Sequence, residues 1–484
     1  MERLAAGCLF LSFPGRRAPG WIRRLAACGF GGVVLSASNA GGREQLRALV
    51  AELRAERPEL LVALAEEGGD VTALEAGEGS SYPAAAALGA VDDVELTELV
   101  AGAIAWDLVD VGANLNLAPV ADLLRDPWNP SPGVRSYGSD PELVARHAAA
   151  FVRGTRRAGV VACPGRVPGL GGDGGPLFEP RPTDAVLEEA LLPFRACVEA
   201  GAYALMAARA YLGLLGGAHP DTGDVPLRGL LRDDLRFTGM VLTEALDAPA
   251  VAAGVGLEEA AVRALQAGAD GLWLGPGAEE EDVRRVLAAI VQAVRAGRLS
   301  LERLEEAVER VRLTADWASH PPRGDRVERE VGLEAARRAL RFTGTPVLSR
   351  LPYVVVLEAR EAGALPQAVD DWLREELPGT RVERVVEGGA PAWPVPRGRQ
   401  LVLVLRDAHR SAWQRAEADD LLAANPDAIV VELGLPEWSP SAPVACVAAF
   451  GGGRASVRAV GELLARSRRA RLYWRPTTRG GAAR

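Results

Sequence analysis

The sequence predicts an α/β fold, a closed (β/α)8 TIM barrel followed by a smaller open αβα sandwich. Three observations predict it. Eight short apolar runs recur through residues 1–317, segments of helical period separate them, and a second, shorter series of the same kind follows a Pro/Arg-rich break. The first run, 4–13 (LAAGCLFLSF), ends at Phe13-Pro14-Gly15 like a strand entering a turn, and 8–13 is taken as strand one. GVVLS (32–36), LLVALA (60–65), ANLNLAPV (113–120) and GVVACPG (159–165) supply strands two to five. YALMAARA (203–210), GMVLTEAL (239–246) and GADGLWLG (268–275) complete the eight. Between them, segments such as ELTELVAGAIAWDLVDVG place apolar residues at i, i+3 and i+4 and end on glycine, as helices do. Buried parallel strands read as continuous apolar runs, which suits a barrel wrapped by helices.

SHPPRGDRVE (319–328) breaks the pattern, so 318–351 is read as a linker, with LEAARRALRFTG as one more helix inside it. YVVVLEA, TRVERVV, QLVLVLR, AIVVELG and PVACVAAF then alternate with helices over 352–470 as the sandwich, and 471–484 reads as a fraying tail.

Composition excludes several functions. A hydrophobic fraction of 48% with 25% charged residues belongs to a globular chain. The net charge of −9 argues against a nucleic-acid or anionic-membrane partner. Every base is arginine; without lysine there is no Schiff-base chemistry. The five cysteines are odd in number and lack C-x-x-C spacing, as expected of free thiols in a reducing compartment. Four dispersed histidines give no ligand spacing, so neither metal nor cofactor is expected. Glu2 precedes the first apolar run and no A-x-A site follows it, and no run reaches the roughly 18 apolar residues of a membrane span. A cytoplasmic protein is the expectation.

The motifs LFLSFPG, GFGGVVLSASN, LLVALAEEGGDV, LNLAPVADL, RSYGSDP, LRDDLRFTGMVLTEALDAPA and ALQAGADGLWLG occur in that order. In order and spacing they resemble glycoside hydrolase family 3, in particular its two-domain β-N-acetylglucosaminidase branch, over nearly the whole chain. The resemblance implies a retaining glycosidase with an aspartate nucleophile after strand seven and a His–Asp acid/base dyad in the loop after strand five. Here Glu244 stands at the nucleophile position, and Pro176-Leu177-Phe178 stands where the dyad motif belongs. Asp173 and Glu179 lie in the same loop as substitute acid candidates.

Ligand-binding positions implied by the resemblance are altered as well. Arg166 and Arg209 stand at histidine positions, Ala65 replaces a sugar-binding aspartate, and Asp70 an arginine. Arg135, in RSYG, and Asp122 match the pattern. Together with Glu66, these residues predict a charged mouth that takes a carbohydrate or acidic sugar-like ligand centred on Arg135, unless the carboxylates pair with the arginines and close it. Two readings stay open. One is a catalytically impaired homologue that binds a sugar-like ligand or a protein partner. The other is a working, non-standard retaining glycosidase or transglycosylase with Glu244 as nucleophile.

Overall fold

Within each strand of the first domain, alternate residues enter two different apolar environments, and this alternation builds the barrel. The computed structural model describes residues 1–170, 183–208, 228–248, 254–360, 365–366, 368–389, 391 and 394–473. The strands are β1 (Leu9–Leu11), β2 (Gly32–Val34), β3 (Leu61–Leu64), β4 (Leu115–Asn116), β5 (Val161–Ala162), β6 (Ala204–Ala207), β7 (Met240–Thr243) and β8 (Leu272–Leu274). All their pairings are parallel, in the order β8-β1-β2-β3-β4-β5. After β5 the chain breaks at Cys163-Pro164 and resumes as Gly165–Val167, which pairs with β6, and β6 with β7. A parallel bridge between Leu242 and Gly271 joins β7 to β8 and carries the ring round.

Phe10, Val34, Leu61, Ala63, Leu115, Val161, Ala204, Met206, Met240 and Leu242 belong to one buried cluster, the barrel interior. Their neighbours Leu9, Leu11, Val33, Val62, Leu64, Leu205 and Val241 belong to the larger cluster beneath the helices. Period-two burial with both faces apolar is what parallel barrel strands require.

The N-terminus differs from the expectation. Strand one is confined to Leu9–Leu11, and Glu2–Ala6 forms a short helix before it. Leu4-Ala5-Ala6 are good helix formers without β-branching, and Ala5 and Ala6 are buried. Gly7 lets the turn approach Val308, whose Cγ1 lies 3.1 Å from where a Cβ would stand.

At the same end of the barrel, Asp270, wholly buried, receives Arg232 (2.7 Å), Arg303 (2.5 Å) and Arg310 (3.2 Å). Arg232 also donates to the carbonyls of Phe237 and Gly239, and Arg303 to those of Leu265 and Ala269. One carboxylate thus ties the entries of β7 and β8 to the helix Leu301–Ser319.

The sandwich contains β9 (Arg341–Thr343), β10 (Leu351–Glu358), β11 (Arg381–Val386), β12 (Arg399–Leu405), β13 (Ile429–Glu432) and β14 (Ala445–Ala448), ordered β9-β14-β13-β12-β10-β11. Only β9 runs antiparallel. Val354, Val356, Val402 and Val404 pack against the helices Ala368–Glu376 and Arg454–Tyr473. On the other face Val355, Leu401 and Leu403 meet the helix Ala412–Ala424. The segment expected to be helical through RFTG is helical only over Glu330–Ala339, and Arg341–Thr343 is the edge strand. Phe342 and Thr343 favour extended backbone, and Gly344, at φ +68°, ends it.

Loops after β3 and β4 carry the contact between domains. Leu435 and Phe450 of the sandwich join Ala84, Ala86 and Val134 in one apolar cluster. Ala455 N–H donates to Ser80 O (3.1 Å), and Arg338 pairs with Asp93 (2.8 Å). Among the described residues no helix is long and apolar enough to cross a membrane.

Removing the Asp270 carboxylate leaves buried guanidinium groups short of a counter-charge. Asp270→Ala is expected to cost about 3–5 kcal/mol in urea unfolding. A loss below about 1 kcal/mol would show that Glu306, 3.0 Å from Arg303, takes over the charge.

Candidate active site

Continuing the alternation past each strand end places Ser12, Ser36, Ala65 and Glu244 on the inward side at the C-terminal mouth, where barrel enzymes keep their chemistry. Glu244 follows β7 and is part-buried, its carboxylate 3.9 Å from Arg166 Nη1. Arg166, 7% exposed, lies on the short strand after β5 and turns Nη2 to Asp122 Oδ2 (3.0 Å) and Ser131 Oγ (2.7 Å). Its backbone N–H adds a bond to Asp122 Oδ1 (3.3 Å). Burial pushes the Asp122 carboxyl above its ordinary range, and Arg166 pulls it back. The structure therefore brings Asp122, Arg166 and Glu244 together as one linked group.

Arg135 belongs to a second group. Its Nε and Nη2 donate to the two oxygens of Glu67, at 2.8 and 2.6 Å, a bidentate pair whose carboxylate is buried. Glu66, next in sequence, points into the loop. Its Oε1 accepts the N–H groups of Ala73 (2.7 Å) and Leu74 (2.6 Å), while its own N–H donates to Asn116 Oδ1 (2.9 Å). Burial raises its carboxyl to about 7, with the two N–H bonds opposing the shift. Asp70 faces the sandwich, where Arg406 Nη2 (2.7 Å) and the Gly452 N–H (2.9 Å) hold it. Asp173, Glu179 and Arg209 lie outside the described residues.

Of the expected charged mouth, only Asp122, Arg166 and Glu244 are linked to one another, while Arg135, Glu66 and Asp70 bond to groups outside that set. Glu67, Ser131 and Arg406 were not singled out as site residues, because nothing local marks their partners. Arg406 and Asp70 stand 336 residues apart. Among the described residues no group of three His, Cys, Asp or Glu side chains is placed to hold a metal ion. A cavity of about 660 Å3 lined by Arg3, Leu4, Arg57, Glu59 and Val308 opens at the opposite, N-terminal end of the barrel, away from this chemistry.

Residues 21–313 match the glycosyl hydrolase family 3 N terminal domain. The chain belongs to glycosyl hydrolase family 3. Among its relatives, the beta-hexosaminidase LpqI of Mycobacterium tuberculosis is 32% identical over 264 residues, 52% of this chain and 67% of that protein. A beta-hexosaminidase of Chromobacterium violaceum is 32% identical over 309 residues, 60% of this chain and 85% of that one. The solved family 3 β-N-acetylglucosaminidase from Paenibacillus sp. superposes with a TM-score of 0.80 at 28% identity, covering 96% of this chain and 97% of that one. The family read from the motifs is therefore the family of the chain, and the neighbour's coverage extends the likeness through both domains.

Glu66 predicts a pH signature. Its carboxyl stands at about 7 in the fold, against 4.5 for an ordinary glutamate. Between these values the folded state holds a proton that the unfolded chain has released. Stability therefore falls as pH rises through that window and levels off above it. Glu66→Gln keeps the acceptor oxygen and is expected to remove roughly 3 kcal/mol of that fall. Glu432 is displaced to the same value by burial, so a shallower slope remains. Urea unfolding at pH 4.5 and 7.5 measures it, and an unchanged slope in the variant would refute the assignment.

Proposed function

We propose that this family 3 protein binds a neutral amino-sugar unit at the barrel mouth and hydrolyses β-N-acetylhexosaminides very slowly or not at all. The observation that carries the reading is the linkage of Glu244 to the buried Arg166–Asp122 pair. Glu244 stands at the nucleophile position with its carboxylate 3.9 Å from a fixed guanidinium, a placement that suits a nucleophile or a hydroxyl acceptor. A retaining mechanism needs a second group to protonate the leaving oxygen. The positions that resemble the dyad, Pro176-Leu177-Phe178, have no proton to give.

The pairing also bears on the ligand. Arg135 with Glu67 is neutral, and Asp122, Arg166 and Glu244 together carry one negative charge when both acids are ionised. Among the described residues neither group supplies an uncompensated cation, which favours a polyhydroxylated, uncharged sugar over an acidic one. The relatives named beta-hexosaminidase support an N-acetylated sugar.

Loss of general acid help costs about 10²–10⁴-fold, and a carboxylate displaced by about an ångström roughly another 10²-fold. Chromogenic N-acetylglucosaminides are therefore expected to turn over about 10⁴–10⁶-fold below an ordinary hexosaminidase. N-acetylglucosamine should still raise the melting temperature of the wild type. The position of Glu244 at the end of β7, beside a fixed cation, favours a second reading as a slow retaining nucleophile. Turnover in the usual range of about 1–10³ s⁻¹, abolished in Glu244→Gln, would decide for that reading and against impairment.

A further inference from the structure

We propose that Trp273 is the platform on which the sugar ring stacks, directly beside Glu244; this rests on the sugar-binding reading above. Trp273 is the middle residue of β8, and its neighbours Leu272 and Leu274 face the helices. Trp273 packs instead against the barrel interior with Phe10, Met206 and Leu242. That interior is sealed below it: Phe10 and Leu242 are wholly buried and Met206 is 8% exposed, whereas Trp273 remains part-exposed. The accessible part of the indole therefore opens upward, into the mouth.

Its place at the junction of β7 and β8 puts it near Glu244. Leu242 of β7 bridges Gly271, and Glu244 lies between Thr243 and Leu246, which both bond Trp273. Thr243 Oγ1 accepts the Trp273 N–H (2.9 Å), and Leu246 N–H donates to Trp273 O (2.9 Å), so the two strand ends are locked together there. Neighbouring strands lie about 4.8 Å apart, a spacing at which a carboxylate and an indole line one small pocket.

The indole is also held still. Its Nε1–H donates to Ser12 Oγ (2.9 Å), and the Ser12 hydroxyl donates to Val34 O (2.8 Å). The polar edge of the ring is thereby satisfied, so a ligand would engage the indole through its π face. That face is electronegative and complements the electropositive C–H groups on the apolar side of a hexosamine, while Glu244 accepts from a hydroxyl. The inward residues beyond the ends of β1, β2 and β3, namely Ser12, Ser36 and Ala65, are small.

The test is titration of N-acetylglucosamine into wild type, Trp273→Phe, Trp273→Ala and Glu244→Gln, followed by intrinsic fluorescence and by calorimetry, with thermal unfolding to establish that each variant is folded. The wild type should show a saturable fluorescence change that Trp273→Phe lacks, even though the phenyl ring keeps binding within a few-fold. Trp273→Ala should bind about tenfold more weakly. A fluorescence change that persists in Trp273→Phe, or wild-type affinity in Trp273→Ala, overturns the platform. If affinity drops in Glu244→Gln and not in Trp273→Ala, the sugar site stands and the platform alone falls. If the wild type gives neither heat nor fluorescence change, both fall together.

Discussion

A single buried ion pair, Arg166 with Asp122, organises the mouth of this barrel. Removing a guanidinium and a carboxylate from water costs several kcal/mol per ion, and mutual attraction repays that only with good geometry and further hydrogen bonds. Both conditions are met: Arg166 meets Asp122 through side chain and backbone, and Ser131 receives the same guanidinium. The Ala121 N–H donates to Gly165 O (2.6 Å), so backbone bonds reinforce the join. The break in strand five is thereby stitched to the loop after β4, and Glu244 meets a cation whose position is already fixed. Replacing either partner by an apolar residue leaves a bare charge inside the protein, so the pair constrains the fold before it constrains any ligand.

The same economy of charge separates what was legible in the sequence from what was not. Strands were legible because burial on two apolar faces writes continuous runs, whereas Glu244 was marked only by the resemblance of VLTEAL to the family motif. Pieces shorter than a helical turn or a strand repeat were not. Leu4-Ala5-Ala6 reads equally as strand or helix until Val308 packs against Gly7, and Arg341–Thr343 becomes a strand only by pairing with Ala445–Ala448. Partner choice was hidden altogether. Arg135 could be marked as a ligand contact from its motif, yet its Nε and Nη2 go to Glu67, 68 residues away. Trp273 passed as an ordinary strand residue because inward and outward positions on a barrel strand are equally apolar.

The sandwich takes part in the same arrangement. Asp70 follows Gly69 on the loop that carries Glu66 and Glu67, and it is gripped by Arg406 at the end of β12. His409 Nε2–H donates to Pro127 O (2.7 Å) on the loop that also carries Ser131 and Arg135. Trp128, 60% exposed, meets the His409 ring edge-on. The second domain therefore braces both loops that supply the paired charges, and disturbing its contacts would be felt at the mouth without touching Glu244.

That bracing accounts for the shape of the segment around Glu67. Gly68 and Gly69 have φ of +86° and +60°, and a Cβ on either would stand 2.4 Å from Pro83 O or from Ala84 Cβ. A Cβ at Gly453 of the sandwich would in turn stand 2.6 Å from Gly69 O. These glycines are required by a turn pressed between two domains, whatever chemistry occurs above it. Matching them to the family establishes the scaffold and is silent on catalysis. Any chemistry depends instead on the groups at the mouth, where Glu244 and Arg166 stand together.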